Sequence, residues 1–191
     1  PPPVLFRRPK SLRALPLPDP NGTIDPLWQV LNVAVADRPL VAAVLAKALY
    51  PRGPDPNLNI GGEHGRGKTM VVAIAKSLVD PASPLTRATP QDERDLMIAA
   101  QNQRVLAYDN LSSIPPWLSD AFCRLSTGAG MATRELYTDD EEKLFTCRRI
   151  VMFNGIGETA TRPDLLDRSI AIEPPEIPRG RRKQELELWE Y

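Results

Sequence analysis

The stretch "NLNIGGEHGRGKTMVVAIAKSL", residues 57–78, constrains the fold more than any other part of the chain. A short apolar run enters a cluster of four glycines, then Lys68 and Thr69, then a long helical pattern. Gly62-Glu63-His64-Gly65-Arg66-Gly67-Lys68-Thr69 satisfies the G-x-x-x-x-G-K-S/T pattern. Glycines let the backbone turn so that successive N–H groups point inward at an anion, and a helix starting near Lys68 adds its positive end. The pattern predicts a nucleoside triphosphate site: Lys68 as a charge on the β and γ phosphates, Thr69 as a hydroxyl on Mg²⁺. ATP and Mg²⁺ are then the expected cofactors, and Gly62 through Met70 the expected binding segment. A glycine-rich turn with a chance lysine is the alternative. The strand entering and the helix leaving weigh against it. Glu63, His64 and Arg66 occupy variable positions; His64, the sole histidine, has no nucleophile or metal partner beside it and reads as an exposed filler.

Strands alternate with helical patterns along the rest of the chain, which argues for a parallel α/β sheet flanked by helices. "DPLWQVLNVAVA" (25–36) and "RPLVAAVLAKALYP" (38–51) read as helices, the first opened by an Asp25 cap and Pro26. "LTRAT" (85–89) reads as a short strand, "QDERDLMIAAQN" as a helix, and "RVLAYDN" as a buried strand. "PPWLSDAFCRLST" is helical up to Gly128. "MATRELYTDDEEKLFTCR" shows two β-like runs around a polar tip, hence a hairpin. "RIVMFNG" is a third buried strand, "RPDLLDR" a short helix, "SIAIEP" a fourth strand, and "RGRRKQELELWEY" a final helix. Trp28, Trp117 and Trp189 lie in apolar helical patterns and are expected in the core rather than as stacking platforms. The basic run 179–183 reads as a solvated helix start or linker, or else as a contact to a phosphate backbone.

Composition narrows the partners. With 24 basic and 24 acidic side chains, no global field favours nucleic acid or membrane, and any basic patch must be local. No apolar run approaches the ~20 residues needed to span a bilayer. The two cysteines, Cys123 and Cys147, lack metal-type spacing and are expected to be reduced, in keeping with a cytoplasmic setting. Seven of the 21 prolines fall within the first 20 residues, so 1–24 is expected to be an extended strap or linker. The opening "PPPVLFRRPK" has no initiator methionine and suggests a domain taken from a longer chain. The ATPase core is expected over 25–178, and 179–191 to begin a helical lid.

A magnesium shell needs a carboxylate at the strand ends, where ligands gather in open α/β sheets. "RVLAYDN" supplies Asp109 there, unless that residue merely caps the next turn. Asn110 follows, where a glutamate would polarise water; an amide can only position it. Glu63 and Asp120 are the candidate replacements.

"LSTGAGMATRELYTDDEEKLFTCRRIVMFNG" resembles the central stretch of superfamily 3 helicases of the viral and plasmid primase-helicase type. The matching residues are Thr127-Gly128, Arg134, Leu136-Tyr137 and Asn154. Residues 56–178 also resemble bacterial and prophage ATP-binding proteins in which "DNLS", "WLSDAFCRL", "LYTD" and "RPDLLDRS" recur. Both groups belong to the AAA+ class of oligomeric ATPases. The resemblance implies a P-loop NTPase fold with a β-hairpin before the sensor strand and a truncated carboxyl-terminal lid. It implies that Asn154 is the sensor amide, and that Arg168, with Arg162 in reserve, is a finger reaching a neighbour's nucleotide. A turn asparagine at 154, or a local salt bridge from Arg168 to Asp164 or Asp167, is the alternative. The expected catalytic set is thus Lys68, Asp109, Asn110, Asn154, Arg168 and Arg162.

The hairpin tip "TDDEE" is acidic, where a DNA-gripping tip would be basic. Contacts to single-stranded or duplex DNA would then fall to Arg134, Lys143, Arg148 and Arg149. The expectation is an ATP-driven homo-oligomeric motor, ring or helical, of a mobile element's replication helicase, with no membrane partner. The competing expectation is a slow-hydrolysing, nucleotide-dependent switch that assembles protein partners.

Overall fold

The computed structural model describes residues 9–50, 52–134, 142–155, 160–178, 180 and 182–189. Four strands form one sheet: β1 (Asn57–Ile60), β2 (Val105–Leu111), β5 (Ile150–Gly155) and β6 (Ser169–Ile172). They lie in the order β2-β5-β1-β6, and every pairing is parallel. Helices α2 (Arg38–Leu49) and α3 (Lys68–Val79) cover one face; α4 (Glu93–Asn102) and α5 (Pro116–Thr127) cover the other.

The two faces follow from the period of a strand, which sends alternate side chains to opposite sides. Val105, Ala107, Ile150 and Met152 join the cluster under α2 and α3. Leu106, Tyr108, Val151 and Phe153 join the cluster under α4 and α5. A parallel sheet buried on both faces reads as a continuous apolar run, which is why "RVLAY" and "RIVMF" were legible as strands. Phe122 of α5 stacks on Tyr108 and Phe153, with centroids 5.8 and 5.7 Å away. Val71 and Val72 on α3 are fully buried, each contributing roughly 1.5–3 kcal/mol relative to exposure.

A buried ion pair fastens α3 to the sheet. The Lys76 ammonium donates to Asp80 Oδ2, to the Asp80 carbonyl and to the Val105 carbonyl, each at 2.8 Å. Asp80 Oδ2 also accepts the N–H groups of Arg104 and Val105. Burial pulls the Lys76 pKa down while the Asp80 carboxylate opposes the shift.

The expected hairpin is present, with β3 (Met131–Arg134) antiparallel to β4 (Glu142–Phe145). Its tip, with Leu136 and Tyr137, lies outside the described residues. Short α6 (Pro163–Leu166) precedes β6, and α7 is Glu185–Trp189.

Several expectations need correction. Residues 25–36 form only a four-residue helix, α1 (Leu27–Val30), then a 3₁₀ turn over Val35–Asp37, and Asp25 gives no side-chain cap. Val30, Val33 and Val35 are stiff β-branched residues, and Leu31 and Val33 are buried in the extended stretch between the two turns. "LTRAT" contributes a single bridge, Arg87 to Tyr108, because prolines 81, 84 and 90 crowd it. Trp28 and Trp117 pack against the core as expected, but Trp189 is 42% exposed. The final helix starts at Glu185 rather than 179. Residues 9–24 hold no regular element beyond a bridge between Leu12 and Ala82. Both cysteines are free thiols. Among the described residues no helix is long and apolar enough to cross a membrane.

Candidate nucleotide site

Strand β1 ends at Ile60, level with Asn154 on β5, and the chain then turns through the glycine loop into α3. Gly67, at the cap position, has φ +72°, a conformation that would strain any residue with a Cβ. No side chain caps α3, and its first turn carries no acidic residue. Val71 N–H makes the first bond to Gly67 O, so the N–H groups of residues 68–70 lack an intrahelical acceptor. Helix geometry alone thus leaves three donors facing the loop's mouth.

Three of the expected residues converge there. The Thr69 hydroxyl donates to Asp109 Oδ1 at 2.8 Å, and Asn154 Nδ2 donates to the same oxygen at 2.7 Å. Asn154 Oδ1 accepts the Asn110 backbone N–H at 2.9 Å. A cleft of about 330 Å³ is lined by residues 64–70 with Asp109, Asn110 and Asn154. Lys68 Nζ donates to the carbonyls of Gly62 and Glu63. Its pKa is lowered, first by desolvation and then by the Arg66 charge, with Glu173 opposing. An anion bound there would relieve both penalties. Thr69 and Asp109 suit a hard cation that takes its remaining ligands from phosphate and water. Among the described residues no group of three or more His, Cys, Asp or Glu side chains could hold a metal by itself. His64 is exposed, as expected of a filler.

Asn110 is the one described non-glycine residue with positive φ, +57°, and β2 shifts register between Tyr108 and Leu111. Asparagine tolerates this conformation better than most residues. The bulge turns the Asn110 N–H toward Asn154, so the residue after Asp109 acts through its backbone. Asn110→Ala is expected to lower stability by about 1 kcal/mol, the usual left-handed penalty. Asn110→Gly should restore it in urea unfolding; equal losses in both variants would assign the effect to the side chain.

Neither candidate replacement carboxylate lines the cleft. Glu63 borders a separate cavity with Glu173, and Asp120 pairs with Arg162 at 3.0 Å. Arg168 donates to the Asp164 carbonyl at 2.8 Å, not to a carboxylate. Arg162, Arg168, Asp120 and Asp164 surround Cys123, whose pKa is raised chiefly by burial. Neither arginine lines the cleft of its own chain. Arg134 lies on β3 opposite Glu142, and Lys143 on β4 opposite Thr133. Arg148 is exposed, while Arg149 is half-buried with Nε on the Ala100 carbonyl.

Sequence reasoning missed two residues that hold the loop. Asn32 Nδ2 donates to the carbonyls of Arg66, at 2.9 Å, and Pro175, at 2.7 Å. Glu173, just beyond β6, takes Arg66 in an ion pair at 2.7 Å. On the side of the loop away from Asp109 lies a second cavity of about 540 Å³, walled by Trp28, Met70, Ile177 and Leu188. Arg182 and Lys183 line it too, so this part of the basic run faces the loop instead of solvent alone. A Cβ on Gly65 would lie 2.9 Å from an Arg182 guanidinium nitrogen.

Solved structures similar to this chain include NtrX from Brucella abortus in complex with ADP, at 15% identity and TM-score 0.43, over 74% of this chain and 36% of that one. A second NtrX structure from Brucella abortus gives 13% identity and TM-score 0.45, over 80% and 39%. The JCV helicase bound to a thiazolopyridinyl-phenoxyphenyl acetamide gives 14% and 0.39, over 74% and 47%. The chain therefore spans between about a third and a half of those chains. No curated protein matches it. Residues 24–191, which hold every helix and strand described above, match the model of one family. This glycine loop, with Asp109 and Asn154 at its mouth, accordingly sits in a member of the actinomycete integrative conjugative element replication protein family.

Proposed function

We propose that the chain binds a nucleoside triphosphate with magnesium and hydrolyses it as an oligomeric motor, of the AAA+ helicase type, in replication of a mobile element. The observation that carries this reading is the meeting of Thr69 and Asn154 on one oxygen of Asp109, at the mouth of the loop. The three orphan N–H groups of α3 and the Lys68 ammonium bind the phosphates. Thr69 and Asp109 would hold the shell of a magnesium ion, which would supply positive charge to the transferred phosphoryl group. Asn154 orients the attacking water, its own carbonyl fixed by the Asn110 N–H. Met70 forms part of both cavities, so a nucleotide laid across the loop places its phosphates by Asp109 and its base by Trp28 and Ile177. Arg168 is the finger offered to the next subunit. Single-stranded or duplex DNA is the track.

One observation favours the slower, switch-like reading. Asp109 is the carboxylate of the cleft, and no second one lines it among the described residues. Steady-state ATP hydrolysis with and without single-stranded DNA separates the two. The motor predicts DNA-stimulated turnover. It also predicts that Lys68→Ala and Arg168→Ala chains, each inactive alone, regain activity when mixed, because one intact interface forms between them. Undiminished turnover by a strictly monomeric sample would overturn the shared site; DNA-independent, very slow turnover would leave the switch.

A further inference from the structure

The edge of the sheet opposite the phosphate loop carries a second cleft, of about 440 Å³. Arg104, the residue before β2, and Arg148 and Arg149, the residues before β5, line it with Thr127, Gly128 and Thr146. Among the described residues no carboxylate lines it. In a chain of balanced charge, three guanidiniums and two hydroxyls around one opening are a local excess of positive charge and donors.

Two of these cations are held in place by surrounding acceptors. Arg104 grips buried Asp55 with two nitrogens and also donates to the Arg148 carbonyl at 2.9 Å. Arg149 donates through Nε to the Ala100 carbonyl and through Nη1 to the Arg148 carbonyl at 2.7 Å. Asp55 also faces Lys47 at 3.5 Å, so two cations share this carboxylate. Arg148 and Arg149 pair with no carboxylate among the described residues. Arg148 lies across Gly128, where a Cβ would come within 2.5 Å of its stem.

Helix α5 ends at this cleft, and its free carbonyls would repel an anion. Three of them are already taken. The Leu125 carbonyl accepts Arg149 N–H, the Ser126 carbonyl accepts Asp55 N–H, and the Arg124 carbonyl accepts the N–H groups of Gly128 and Ala129.

We propose that this cleft is a phosphodiester-binding site for DNA, seated beneath the hairpin at the sheet edge away from the nucleotide. Fixed guanidiniums with hydroxyls match phosphate oxygens. The site is open and lies where β4 returns to β5, so a continuous backbone can run past it. Of the four basic residues suggested by the sequence, this assigns Arg148 as the principal contact. It adds Arg104, which no motif marked. The proposal does not depend on hydrolysis.

Arg148→Ala tests it, because among the described residues that side chain makes no hydrogen bond or ion pair. Binding of labelled random-sequence oligonucleotides, single-stranded and duplex, is followed by anisotropy over a range of salt. The expected result is about tenfold weaker binding near 0.1 M salt and a salt slope shallower by about one contact. Arg148→Glu should weaken it further and Arg148→Lys should retain much of it. Nucleotide affinity and thermal unfolding should stay at wild-type values in all three. Unchanged DNA affinity and slope in Arg148→Glu would overturn the site, whatever the nucleotide assays report. So would an affinity loss without a slope change, which would mark a structural effect. Competition by inorganic phosphate at millimolar levels, with no DNA binding, would reassign the cleft to a free anion and overturn the proposal.

Discussion

Lys68→Ala is expected to reduce nucleotide turnover by about 10²–10³-fold, the usual loss when one preorganised electrostatic contact to a transition state is removed. Its fold should survive. Among the described residues the ammonium bonds only to the carbonyls of Gly62 and Glu63, and it touches no core cluster. Unfolding midpoints should therefore match the wild type while calorimetric uptake of ATP falls away. A pH series adds a second check. Desolvation and Arg66 lower the Lys68 pKa, whereas bound phosphate favours the charged form. Affinity should hold constant below the lowered pKa and decline as pH rises through it, earlier than an ordinary lysine would dictate. Wild-type affinity in Lys68→Ala would remove the nucleotide reading altogether.

The largest effect on stability is expected at Lys76. Removing one partner of a buried ion pair costs about 3–5 kcal/mol, since the other charge is left uncompensated. Lys76→Met keeps the apolar stem but strands the Asp80 carboxylate, which retains only the N–H groups of Arg104 and Val105. Lys76→Met combined with Asp80→Asn should recover part of the loss, giving a coupling of about 1–3 kcal/mol in urea unfolding. Strictly additive losses would mean that the pair does not act as a unit. The position is also a link to the site, because Asp80 pins the start of the strand that carries Asp109.

Much of this arrangement was legible because it is written locally. Glycines at 62, 65 and 67 have positive φ and encode the loop wherever they occur. Asp109 was found as an acid following four apolar residues, and Asn154 through a resemblance that places it at the end of the apolar run "RIVMFN". The contacts that brace the loop are non-local. Asn32 reaches Arg66 across 34 residues, and Arg66 reaches Glu173 across 107. Nothing in "LNVAVA" marks an asparagine as a clamp. That clamp is also why the helix expected over 25–36 breaks early, since Asn32 must leave helical register to meet two carbonyls. Trp189 misled for a different reason: an apolar residue in a helical pattern is core only if another element covers it. The left-handed Asn110 was invisible, because a bulge depends on how β2 meets β5.

Two neighbouring strands of the sheet, β2 and β5, have a property that follows from their direction alone. β2 runs from Arg104 to Asp109 and β5 from Arg149 to Asn154, each about 15–17 Å end to end. Both are stiff rods, pressed between helices on either side, with an arginine at one tip and a residue of the glycine-loop cleft at the other. On the proposed function, a tug on Asn154 when a terminal phosphate departs would need no relay of switching side chains to be felt at Arg149. The same two rods would carry it, and the stroke would be delivered where the hairpin is rooted.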